Sequence, residues 1–297
     1  MTRKLILAAI GKLPQDDAVM GRASRIAQDA DAVLGVIHAL DLPGDRGEAC
    51  DPTSFLGQAV SAARERIELA LSDLRIAPER VDLRIEIGPH ARTLIDACAA
   101  LGPDLMVMRA HQNSDIRERF LGSTVERVIS TATVPVLVVK RADGGPYARI
   151  AVATDGRDDA LAAARFASGI CPRAKLALVQ SVEIPPQLEE AMLRVGSRRE
   201  ELAAMRARLR NDATRQLGGL AGELGGDTSF EVLKGDAARS LTRFCRRGGA
   251  DLLVMGQGRG SLIRRAFIGS VSRKLLRDAA CDVLIWPAGD TAGTSPT

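Results

Sequence analysis

The chain has 297 residues, enough for two domains of ordinary size, and is 46% hydrophobic and 26% charged, as water-soluble globular proteins are. Aromatic residues make up only 3% and the net charge is +4, which lacks the stacking platforms and concentrated basic stripe of a nucleic-acid binder. No apolar run approaches the length of a membrane span, and the run at 5–10 is a better buried strand than a signal peptide, so a cytoplasmic protein with neither nucleic-acid nor membrane partners is expected.

Along the chain, short aliphatic runs alternate with amphipathic segments. Residues 5–9 read as a strand, 16–30 as a helix with an acidic start, and 32–40 as a second strand. A long amphipathic segment at 55–74 follows, then a strand at 81–87, a Gly turn and a helix at 91–101. A fourth strand at 105–108 leads into a polar loop, a short helix at 123–131 and a last strand at 136–139.

The order then repeats. Strands are expected at 150–153, 174–182, 229–233, 252–255 and 283–286, with helical segments at 158–169, 188–224, 237–247 and 270–278. The two series also match in residues, at nearly constant spacing: Asp104-Leu-Met-Val-Met matches Asp251-Leu-Leu-Val-Met, and Gly122-Ser123 matches Gly269-Ser270. Strands joined by helical crossovers imply an α/β fold, here two tandem, doubly wound, parallel five-stranded sheets. The expected domains are 1–141 and 148–288, with a linker between them and a disordered tail at 289–297.

Five dispersed cysteines, Cys50, Cys98, Cys171, Cys245 and Cys281, read as small buried hydrophobes in a reducing compartment. The three histidines, His38, His90 and His111, are equally dispersed, so no metal site is expected. His38 ends a strand and reads as a hydrogen-bonded structural residue, and His111 as an exposed loop residue. There is no Gly-Lys-Ser phosphate loop and no motif-bound Ser-His-Asp or Cys-His arrangement, which leaves at most a slow ATPase among enzymes.

The richest segment is the loop after the fourth strand of the second half. Gly256, Gly258 and Gly260 allow positive φ and close approach of backbone to a ligand, while Arg259, Arg264 and Arg265 add positive charge. The loop re-enters a helix at Gly269-Ser270, where Ser270 is expected as the cap and free N–H groups favour an anion. In doubly wound sheets, ligands lie at the carboxyl ends of the strands where the strand order switches.

Asp-Leu-Leu-Val-Met-Gly, this loop, Gly-Ser and the final Val-Leu-Ile strand resemble the universal stress protein signature. In that family the motif runs Gly, two residues, Gly, nine residues, Gly, then Ser or Thr. Gly256, Gly269 and Ser270 match it, whereas Arg259 stands at the middle glycine, flanked by Gly258 and Gly260. The family also uses an Asp after the first strand to contact adenine, and Asp155 sits there.

The resemblance covers nearly the whole chain and implies an adenine nucleotide alpha hydrolase-like fold, a homo-oligomer, a stress-response role, and last strands at 136–139 and 283–286 that could pair within the chain as a pseudo-dimer. It also implies an ATP site, with Mg as an accompanying ion, formed by Asp155, Gly156, Val182, Met255, Gly256, Gly258, Arg259, Gly260, Gly269, Ser270 and Val271. In the first half Ile10 replaces the Asp, and Arg109 and Gln112 replace two glycines, so that half is expected to bind ATP weakly or not at all. It would then hold another small ligand or act as a folding partner.

Overall fold

The computed structural model describes residues 4–44, 46–77, 81–110, 122–142, 145–156, 159–256 and 268–287. The first half runs β1 (Leu5–Ile10), α1 (Asp17–Asp29), β2 (Val33–Leu40), α2 (Arg46–Cys50), α3 (Phe55–Asp73), β3 (Val81–Ile87), α4 (His90–Leu101), β4 (Leu105–Arg109), α5 (Ser123–Thr131) and β5 (Val136–Val139). The second runs β6 (Arg149–Ala153), α6 (Ala160–Ile170), β7 (Lys175–Val182), α7 (Pro186–Arg194), α8 (Arg199–Leu224), β8 (Ser229–Lys234), α9 (Ala237–Arg246), β9 (Leu252–Gly256), α10 (Ser270–Asp278) and β10 (Asp282–Trp286).

The strands form one sheet, not two. Its order is β3-β2-β1-β4-β5-β10-β9-β6-β7-β8. Neighbours within each half are parallel, and β5 and β10 pair antiparallel at the seam, with Leu137 opposite Leu284. The last strands pair within the chain as expected, and so join the two expected sheets into one. Each half would otherwise present a bare final strand with unpaired N–H and C=O groups, and pairing them removes both edges.

Alternation along the strands explains the layers. Ile6, Ala8 and Ile10 of β1 face one core with Val152, Val254 and Leu284, while Leu7 and Ala9 face the other with Ala151, Leu253 and Val283. The first core is covered by apolar stripes of α1, α3, α6 and α8, and the second by α4, α5, α9 and α10. Both cores run unbroken across the seam. The small residues Ala160, Ala163, Ala164 and Ala167 bring α6 close to the sheet.

The segment expected as one long helix at 188–224 is two helices. At their junction Gly196 takes φ +85°, and Ser197 N–H donates to the Met192 carbonyl at 2.9 Å. That closes α7 in a turn only glycine adopts easily. Among the cysteines, Cys98, Cys171, Cys245 and Cys281 are buried, but Cys50 is exposed at the end of short α2, where none of the described side chains is buried.

The expected linker contains a core residue. Tyr147 is buried, and its hydroxyl donates to Asp282 Oδ2 at 2.7 Å. Asp282 is fully buried and also accepts from the backbone N–H groups of Lys140 (2.8 Å) and Arg141 (2.9 Å). Arg22 of α1, equally buried, pairs with the same carboxylate at 3.1 Å and lies 4.1 Å above the Tyr147 ring. Burial, and then the adjacent carboxylate, push the Tyr147 phenol well above its ordinary range, so it remains a donor. Helix, linker and last strand are thus tied at one point between the halves.

Candidate functional site

The switch in strand order within the second half lies between β6 and β9, which pair side by side through Ala153 and Met255. The chain leaves β6 as Thr154-Asp155-Gly156 and leaves β9 at Gly256. These residues therefore meet at the carboxyl edge of adjacent strands, where doubly wound sheets take ligands. Met255 is buried beneath the edge.

The turn after β6 is built locally. Thr154 is buried and anchored by its N–H to the Val179 carbonyl at 3.0 Å. Its hydroxyl accepts from Gly156 N–H at 2.8 Å, closing a short side-chain-to-backbone turn that sets Asp155 at the exposed tip. Gly156 has φ +77°, and its carbonyl accepts from Gln216 Nε2 of α8 at 2.7 Å. Neither Thr154 nor Gln216 is singled out by the sequence. Their parts depend on a turn and a tertiary approach that no local pattern encodes. A Cβ at position 156 would run into the Gln216 amide and force an unfavourable φ. Gly156→Ala is expected to cost about 1–3 kcal/mol, read as a lowered urea midpoint with an unchanged slope.

The far side of the edge is the start of α10. Its cap is Gly269, with ψ 153° and no side-chain cap bond, so Ser270 is the first helical residue. This corrects the expectation that Ser270 caps. Gly269 is still extended and the helix begins immediately after it. Ser272 Oγ reaches the Gly256 carbonyl at 3.5 Å, which holds the first turn of α10 beside the end of β9. Gly269, Ser270 and Val271 therefore stand at the same edge as Gly256. The residues expected to complete the loop, Gly258, Arg259, Gly260, Arg264 and Arg265, lie outside the described residues, as do His111, Gln112 and the tail.

Val182 ends β7, the strand that pairs in parallel with β6. Its carbonyl accepts from Gly235 N–H at 3.0 Å, and it lines a cavity of about 600 Å³ with Ile184, Leu193, Arg206 and Lys234 under α7 and α8. In that cavity Arg206 is paired with Glu189 at 2.6 Å.

In the first half, Ile10 ends β1 and Arg109 ends β4, in the places of the second half's Asp155 region and Gly256. His38 Nδ1 lies 2.8 Å from the Ile10 carbonyl oxygen, which only accepts, so Nδ1 carries the proton and donates. Among the described residues no group of three or more His, Cys, Asp or Glu is placed to hold a metal ion, and no helix is long and apolar enough to cross a membrane.

The sequence pattern of the Universal stress protein family matches residues 2–140 and again 146–287. A universal stress protein of Methanocaldococcus jannaschii is 28% identical over 141 residues, which is 47% of this chain and 81% of that protein. Universal stress protein G of Shigella flexneri is 30% identical over 129 residues, 42% of this chain and 88% of its own length. Among solved structures, a universal stress protein of Archaeoglobus fulgidus superposes with a TM-score of 0.65 at 17% identity, covering 97% of both chains. That likeness spans both halves and concerns the fold.

Proposed function

The chain belongs to the universal stress protein family in both halves, and from that premise we propose that its second half is an ATP-binding regulatory site of the stress response. The sheet would then be of the adenine nucleotide alpha hydrolase-like type. The observation that carries this reading is the placement of Asp155, Gly256 and the start of α10 on one strand edge at the switch point. The described residues fit the ligand. A carboxylate at the tip of the β6 turn accepts from an adenine amino group. The first turn of α10 has no side-chain cap, and its N–H groups and helix dipole favour phosphate oxygens. Mg would arrive bound to those phosphates.

Binding here is regulatory: the nucleotide orders the edge of the sheet and changes the surface offered to partners, in a cytoplasmic protein that self-associates. Calorimetric titration of the purified chain with ATP tests this. Asp155→Ala is expected to weaken binding tenfold or more, as loss of a hydrogen bond to a charged group (about 1.5–3 kcal/mol) requires. Arg109→Ala, at the corresponding edge of the first half, is expected to leave it unchanged. Equal losses from both variants, or no ATP binding by the parent chain, would refute the assignment.

A further inference from the structure

The first half has its own crevice. A cavity of about 400 Å³ opens at the carboxyl ends of β1 and β2 beneath α3, within the size range of small-molecule sites. Its floor is apolar: Ile10 and Ile67 are buried, Leu13 and Leu40 flank them, and Ala59 and Ala63 of α3 keep the roof low. Among the described residues that line it none is acidic, and the charged ones, Lys12 and Arg66, are both positive.

Two details fix what this crevice can recognise. The Asp16 carboxylate is buried and turned onto the backbone, accepting from the N–H groups of Gly11 at 2.6 Å and Lys12 at 2.8 Å. Neither Lys12 nor Arg66 has an ion-pair partner among the described residues, so both cations are available to a ligand. His38, fixed through Nδ1 to the Ile10 carbonyl, leaves Nε2 as the ring's remaining polar atom in the lining. The second half has an acid, Asp155, after β6; here the equivalent place carries Ile10, which offers an adenine amino group no acceptor side chain.

The geometry points to the first half as a site for a small amphipathic carboxylate, with an alkyl or aryl body on the Ile10–Ile67 floor and its anionic head between Lys12 and Arg66. Such a ligand matches an apolar pocket with a few convergent polar groups. It complements a rim of unpaired cations, of which Arg66 can grip both carboxylate oxygens. The second half's nucleotide site has no part in it, so either can fail alone.

The test is calorimetric titration of the full chain with decanoate and, separately, with ATP. Decanoate is expected to bind with a negative heat-capacity change, the mark of apolar burial. Lys12→Glu combined with Arg66→Glu, both exposed at the crevice rim, is expected to weaken decanoate binding at least tenfold while ATP binding is retained. Ala63→Phe, which fills the crevice, is expected to abolish it, and Asp155→Ala to leave it unchanged. Absence of decanoate binding at millimolar concentration overturns the assignment. So does binding indifferent to charge reversal, or displacement of decanoate by ATP in the Asp155→Ala variant.

Discussion

Asp282→Ala is expected to destabilise the protein by about 3–5 kcal/mol, the usual cost of removing one partner of a buried ion pair. Asp282 is fully buried, and its two oxygens serve Tyr147, Arg22 and two backbone N–H groups. The alanine variant leaves a guanidinium with 2% exposure facing a void. Water cannot readily compensate it, because the same place is packed between α1, the linker and β10. Asp282→Asn keeps oxygen for the N–H donors but not the charge, so a smaller loss is expected. Replacing all three side chains together, as Arg22→Met, Tyr147→Phe and Asp282→Leu, removes the uncompensated charge and is expected to recover much of the stability. Urea unfolding of the three proteins decides the matter. A loss under about 1 kcal/mol for Asp282→Ala would mean that the network behaves like an exposed ion pair.

The second large effect is expected at the seam. Leu137 and Leu284 are fully buried opposite each other on β5 and β10, in the core that spans both halves. Leu284→Ala is expected to cost about 2–5 kcal/mol, the sum of lost transfer free energy and an unfilled cavity. Because the two residues touch the same neighbours, Leu137→Ala and Leu284→Ala should be non-additive in the double variant. The seam strands belong to both cores, so the parent chain is expected to unfold in one calorimetric transition and the double variant in two. Additive losses and a single transition in every protein would show that the halves do not depend on the seam for their coupling.

Much of this architecture could be read from the sequence because it rests on local periodicity. The α5 and α10 segments fall where the pattern places them, and the strands differ from expectation by a residue or so at their ends. The pairing of the last strands is implied by the family resemblance rather than by the periodicity, and β5 and β10 do pair. What the pattern missed is non-local. From the sequence Arg22 falls within an expected helix, Tyr147 in the expected linker and Asp282 just before the expected last strand; only the fold brings them within bonding distance. The break at Gly196 was hidden in a continuous polar-apolar pattern, because a left-handed residue leaves the periodicity on either side intact.

The candidate site was legible in outline for a different reason. Asp155 and Gly256 are distant in sequence, and only the parallel alternation of strands and crossovers puts β6 beside β9. Once that order is inferred, their meeting follows from the topology. The turn that presents Asp155 does not follow from it, since it depends on the Thr154 hydroxyl and on how closely Gln216 approaches.

Covalent joining of the halves allows an asymmetric fastening. When two identical subunits meet about a two-fold axis, every bolt across the joint must have its mirror image, so a buried charge there is desolvated twice. In this chain the fastening occurs once: Asp282 is the first residue of β10, whereas the corresponding position in the first half is Pro135, just before β5, which has no carboxylate to offer. One half can thus carry the lock and the other the key, and each is free to drift toward its own ligand without unmaking the joint.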